Sequence, residues 1–67
     1  MPRKKDIIDA IRRSKKVRKE DFLDWLRRKY KVDLPKSASW DEIYEVVSRK
    51  VSVSALESWA KKKGIKL

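Results

Sequence analysis

Cysteine, histidine, asparagine, glutamine and threonine are all missing from this chain, and glycine occurs once, proline twice. Without cysteine no disulfide can staple so short a fold, and without cysteine or histidine the usual zinc ligand sets cannot be assembled. The chain offers no His or Cys for nucleophilic or acid–base work, no glycine-rich phosphate loop and no carboxylate pair with an evident pocket. It therefore reads as a non-enzyme, with no metal, no cofactor and no small-molecule substrate. Long apolar runs are absent too, the longest being two residues, as in Ile7-Ile8. Nothing reads as a membrane span or as the apolar core of a signal peptide, so a cytoplasmic protein is the expectation. Lacking Asn, Gln and Cys while carrying 45% charged residues is a hyperthermophile-like habit.

What is present is charge of one sign. Twenty Lys and Arg stand against ten Asp and Glu, a net charge of +10 over 67 residues. That balance favours a polyanionic partner: nucleic acid, an anionic membrane surface or an acidic protein. The length allows one domain, and one this small buries only about 60% of the surface its unfolded chain exposes.

Apolar periodicity predicts four helices and an all-α fold. The first spans about 5–14, with Ile7, Ile8 and Ile11 on one side; the second spans about 20–30, with Phe22, Leu23, Leu26 and Tyr30 on one face. Residues 32–39 form a loop, because Pro35 pushes Leu34 into an extended conformation. Ser39 with Glu42 makes a capping-box start for the third helix, which carries Trp40, Ile43, Tyr44 and Val47 inward to about residue 49. The fourth runs about 53–63, with Ser52 as N-cap and Gly64 as its stop.

The chain also resembles itself at a spacing of about 34 residues. Val17, Phe22 and Trp25 fall over Val51, Leu56 and Trp59, the basic triplet 27–29 falls over 61–63, and Ile8 and Ile11 over Ile43 and Val46. Two degenerate helical pairs, 5–34 and 39–67, preceded by a basic arm at 1–5, are the expected organisation, with chance likeness of amphipathic helices as the alternative.

Only a tight turn, roughly Lys50 to Ser52, separates the third helix from the fourth. The stretch KVSVSALESWA (50–60) resembles the turn and second helix of helix-turn-helix DNA-binding proteins. Val51 and Ser52 fit the turn, Leu56 the buried helix position and Trp59 the later core position. Lys50 stands where that family usually has Gly, and Val46 where a small Ala is common. A second stretch, DFLDWLRRKYKVDLPKSASWDEIYEVV (21–47), resembles the SAP-type helix–extended loop–helix module, though without the Gly-Lys pair that often opens its second helix. Both resemblances imply DNA binding and place the contact surface differently.

Rotation in steps of 100° puts Val53, Leu56, Trp59, Ala60 and the stem of Lys63 on one side of the fourth helix. Ser54, Ala55, Ser58, Lys61 and Lys62 fall on the other, with Glu57 at the edge. Short side chains at the helix start and cations at its end suit a helix approaching a duplex. The bland alternative is a solvated face whose lysines complement the C-terminal dipole. Further candidate contacts are Ser52 at the helix N-terminus, Arg49 and Lys50 before the turn, and an arm of Arg3, Lys4 and Lys5. A collar of Arg12, Arg13, Lys15 and Lys16, in a basic patch that runs on to Arg18 and Lys19, completes the set. Trp25, Trp40 and Trp59 read as core residues rather than base-stacking platforms. Without Asn or Gln the usual bidentate adenine contact is unavailable, and the outer face of the fourth helix has no Arg for guanine.

The expectation is therefore a small helix-turn-helix domain that binds double-stranded DNA with modest specificity, as a nucleoid-type, accessory or regulatory protein, alone or as a homodimer. A helical interaction module docking on an acidic protein is the alternative, and a membrane surface ranks behind both because the apolar faces are needed for the core.

Overall fold

The computed structural model describes residues 3–67. It contains four helices, α1 (Lys4–Arg13), α2 (Lys19–Tyr30), α3 (Trp40–Lys50) and α4 (Val53–Lys62), and no strand among the described residues. The fold is all-α, and the predicted helices agree with these bounds to within one residue at each end.

Each helix starts where local chemistry supplies a partner for an orphan amide. At α1 and α2 the Asp6 and Asp21 carboxylates accept from the backbone N–H of Arg3 and Arg18, both at 3.1 Å. At α3 and α4 the hydroxyls of Ser39 and Ser52 accept from the Glu42 and Ala55 amides, both at 3.2 Å. Asp or Glu occupies the first turn of α1, α2 and α3 but not of α4, and Lys or Arg occupies the last turn of all four. This arrangement complements the helix dipoles.

The ends of α2 and α4 share a backbone device. After α4, Gly64 takes φ 81. Its N–H donates to Lys61 O at 3.0 Å and the Ile65 N–H to Ala60 O at 2.9 Å, a Schellman closure. After α2, Lys31 takes the left-handed conformation without being glycine, φ 57. Each is followed by a buried aliphatic residue, Val32 or Ile65. The likeness between the two halves thus extends to their helix endings. It fails at the links, since Ser14 to Arg18 joins α1 to α2 while Val51 and Ser52 alone join α3 to α4. The buried equivalents on the leading helices are Ile7 and Ile11 with Ile43 and Val47, one residue away from the alignment above, which left Val46 half-buried.

Packing crosses the two halves rather than pairing each helix with its neighbour: α1 packs its backbone most extensively against α4 and then α3. Its three isoleucines meet Ile43, Val47, Leu56 and Ala60 in one core. The α2 helix is held by rings. Phe22 is fully buried, with its ring centroid 5.2 Å from Trp59, 6.0 Å from Trp25 and 6.2 Å from Trp40. Such pairs add about 0.5–1.5 kcal/mol each beyond area burial. Val51 at the α3–α4 corner is 1% exposed, so the tight link is pinned from inside.

Two expectations need correction. Tyr44 does not point inward; it is 36% exposed, because Ile43 and Val47 already fill the α3 stripe facing the core. Residues 3–5 do not form an arm: α1 begins at Lys4, and the Lys4 ammonium donates to the Ser48 carbonyl at 2.7 Å, tying the start of α1 to the last turn of α3. The remainder of the expected arm, residues 1 and 2, lies outside the described residues.

Candidate nucleic-acid interface

The side of α4 turned away from the core does not stand alone. With Leu56, Trp59 and Ala60 buried, Ser54, Ser58, Lys61 and Lys62 are exposed and Ala55 is half-buried. All five line an open groove of about 840 Å³ whose other wall is the C-terminal half of α2. That wall contributes Trp25, Lys29 and Tyr30, while Ser52 and Trp59 complete the lining. Trp25 is half-buried, stacking on Trp59 at 5.3 Å and meeting Tyr30 edge-on at 5.4 Å. The groove therefore joins an aromatic floor to three serine hydroxyls and three lysines, and none of its lining residues is acidic.

Glu57 limits this charge. It sits one residue outside the groove, and its carboxylate meets the Lys61 ammonium at 3.2 Å. The pair is the ordinary i,i+4 support of an exposed helix face. On α2, Asp24 pairs with Arg27 at 2.6 Å and with Arg28 at 3.6 Å, offsetting one of their two positive charges. Lys29 has no such partner among the described residues and rims the groove.

The remaining candidates separate into two further places. Arg13 and Lys16 line a shallow depression of about 440 Å³ with Ser14, Gly64 and Lys66, just past the end of α4. Lys16 Nζ donates to Gly64 O at 3.0 Å, so part of the collar serves as a clasp on the α4 terminus. Arg12 and Lys15 are exposed nearby in sequence, at the end of α1 and in the link after it. At the other place, the Lys4–Ser48 bond brings Arg3 and Lys5 to the end of α3, where Arg49 and Lys50 are exposed. The structure thus gathers Ser52, Ser54, Ala55, Ser58, Lys61 and Lys62 into one groove. It leaves Arg3, Lys4, Lys5, Arg12, Arg13, Lys15, Lys16, Arg49 and Lys50 outside it.

Acidic residues gather elsewhere. Glu20, Asp21 and Asp24 line a depression of about 430 Å³ along the first half of α2. Arg27 and Lys36 line the same depression, so its charge is mixed where that of the α4 groove has one sign.

No family model, curated protein or solved structure matches the chain.

Trp25, Lys29 and Tyr30 line the groove although the sequence marks none of them as a candidate contact. Helical period marks Trp25 and Tyr30 as inward and Lys29 as one of many surface cations. Trp25 stacks on Trp59, the residue it matches across the two halves.

Proposed function

We propose that this protein binds double-stranded DNA, with the outer side of α4 as its contact surface, acting as a nucleoid-type or accessory DNA-binding protein of modest sequence specificity. One observation carries the reading: Ser54, Ser58, Lys61 and Lys62 share a groove with Lys29 that no carboxylate lines. Hydroxyls and lysines on one surface are phosphate contacts, and they fix register on a duplex without reading sequence. Support comes also from the two-residue link between α3 and α4, pinned by buried Val51, which holds α4 at a fixed angle as helix-turn-helix proteins hold their second helix. The groove holds no Arg, and the chain no Asn or Gln, so the strongest base-reading pairs are missing.

The test is fluorescence anisotropy of a labelled generic duplex titrated across a salt series. Log affinity should fall with log salt by about 0.9 per phosphate contact. The double variant Lys61→Glu, Lys62→Glu should weaken binding at least tenfold while circular dichroism shows the fold intact at the assay temperature. Unchanged affinity would mean that another face binds. No binding to any nucleic acid at low salt would remove the reading and favour an acidic protein as partner.

A further inference from the structure

We infer that the α2–α4 groove accommodates an unpaired nucleotide, so that the protein holds DNA most tightly where one strand is locally single. The inference rests on the DNA-binding reading and narrows it. A site that touches only a duplex backbone needs cations and hydrogen-bond donors on a surface the duplex can reach. This groove has those at its rim and something more inside. Trp25 and Tyr30 form part of its wall, half-buried, with Trp59 behind them.

Their polar tips are available as well. Neither the Trp25 indole N–H nor the Tyr30 hydroxyl has a protein hydrogen-bond partner among the described residues, and no buried side-chain polar atom is left unpaired. Both tips therefore reach solvent. An aromatic surface with wet polar edges suits a nucleobase, which has a π face to stack and a rim of donors and acceptors.

Shape points the same way. A duplex is too thick to enter a concavity between two adjacent helices and would touch only the rim. The volume, about 840 Å³, falls in the range that holds small-molecule-sized groups, so a nucleotide fits where a double helix does not. Lys29 on the α2 side and Lys61 and Lys62 on the α4 side stand where the phosphates of a strand between the walls would pass. Such sites take any base, since stacking does not depend on a hydrogen-bond code. An acidic peptide would satisfy the lysines but leaves the exposed edges of Trp25 and Tyr30 without a stacking partner.

The experiment compares three labelled DNA probes of equal length: an intact duplex, the same duplex with a short central single-stranded gap, and the single strand. The gapped probe should bind at least about fivefold more tightly than the intact one, the lower bound for one stacked base. It should also quench tryptophan emission, and Trp25→Phe should remove most of that quench. Tyr30→Ser should erase the gap preference, bringing gapped and intact duplexes to equal affinity, and Tyr30→Phe should retain the preference; melting curves verify that each variant is folded. Equal affinity for intact and gapped duplexes would overturn the inference while leaving the duplex reading standing. A gap preference that survives Tyr30→Ser combined with Trp25→Leu would overturn it too, since the aromatic wall would then be idle. Displacement of the gapped probe by poly-glutamate as efficiently as by unlabelled single strand would reassign the groove to acidic peptides. Failure of every probe to bind at low salt removes the DNA reading itself.

Discussion

Lys31 occupies a conformation that L residues avoid, at φ 57, where the matching position after α4 has Gly64 at φ 81. A side chain in that region costs on the order of 1–2 kcal/mol, partly offset because glycine loses more backbone entropy on folding. Lys31→Gly should therefore raise stability by about 0.5–1 kcal/mol, read as a shifted urea midpoint with unchanged slope. A loss of stability would show that the Lys31 side chain contributes more than its backbone costs. Glu57 poses the second question at this scale. Its contact with Lys61 is worth only about 0.3–0.5 kcal/mol to the helix, yet it holds one of three groove lysines. Glu57→Gln should cost that small amount of stability and strengthen DNA binding several-fold at low salt. The salt slope should steepen by up to about 0.9 for the phosphate contact that Lys61 regains. Weaker binding would show that Glu57 positions Lys61 rather than competing for it.

Among the elements, α2 depends most on a single side chain. Phe22 touches the rings of Trp25, Trp40 and Trp59 and so joins three helices. Phe22→Ala should cost about 3–5 kcal/mol. That is comparable to the whole stability of so short a domain, at roughly 0.05–0.15 kcal/mol per residue. The variant should lose its near-ultraviolet aromatic signal and its cooperative melt at room temperature; a sharp transition within a few degrees of wild type would show that the cluster repacks. Helix positions were legible in the sequence because their signals are local. Ser39 and Ser52 cap within their own first turns, and Ile7, Ile8 and Ile11 recur at helical spacing. Tyr44 misled because spacing alone cannot say how wide the buried stripe of α3 is. That width depends on the helices across from it, and α1 fills the space with isoleucine.

For the molecule as a whole, the net charge of +10 acts with opposite sign on folding and on binding. Like charges repel in the compact state, and salt screens them over a Debye length of about 10 Å at 0.1 M. Only three side-chain ion pairs occur among the described residues, all on helix surfaces, so screening removes more repulsion than attraction. Raising salt from low to about half molar should lift the melting temperature by several degrees, on the scale of about 4–8 °C per kcal/mol for a domain of this size. The same change should weaken DNA binding by orders of magnitude. A melting temperature that falls with salt would mean that ion pairs outweigh repulsion. The charge is also uneven: Glu20, Asp21 and Asp24 share one depression with Arg27 and Lys36, while Lys29, Lys61 and Lys62 rim another that no acid lines.

The sequence by itself determined the helices, the serine caps of α3 and α4, the glycine stop of α4, the inward faces of α1 and α4, and the cations and hydroxyls on the outer side of α4. Each of these follows from residues three or four apart, within reach of one another on any helix. Tertiary structure alone decided that the end of α2 stands beside α4, that Trp25 meets Trp59, and that Lys29 and Tyr30 join the candidate site. It also decided which cations serve the fold, with Lys4 on the Ser48 carbonyl and Lys16 on that of Gly64. Those contacts link residues 44 and 48 positions apart. Which helix neighbours which depends on how side-chain volumes fill the space between them, and no local period encodes that.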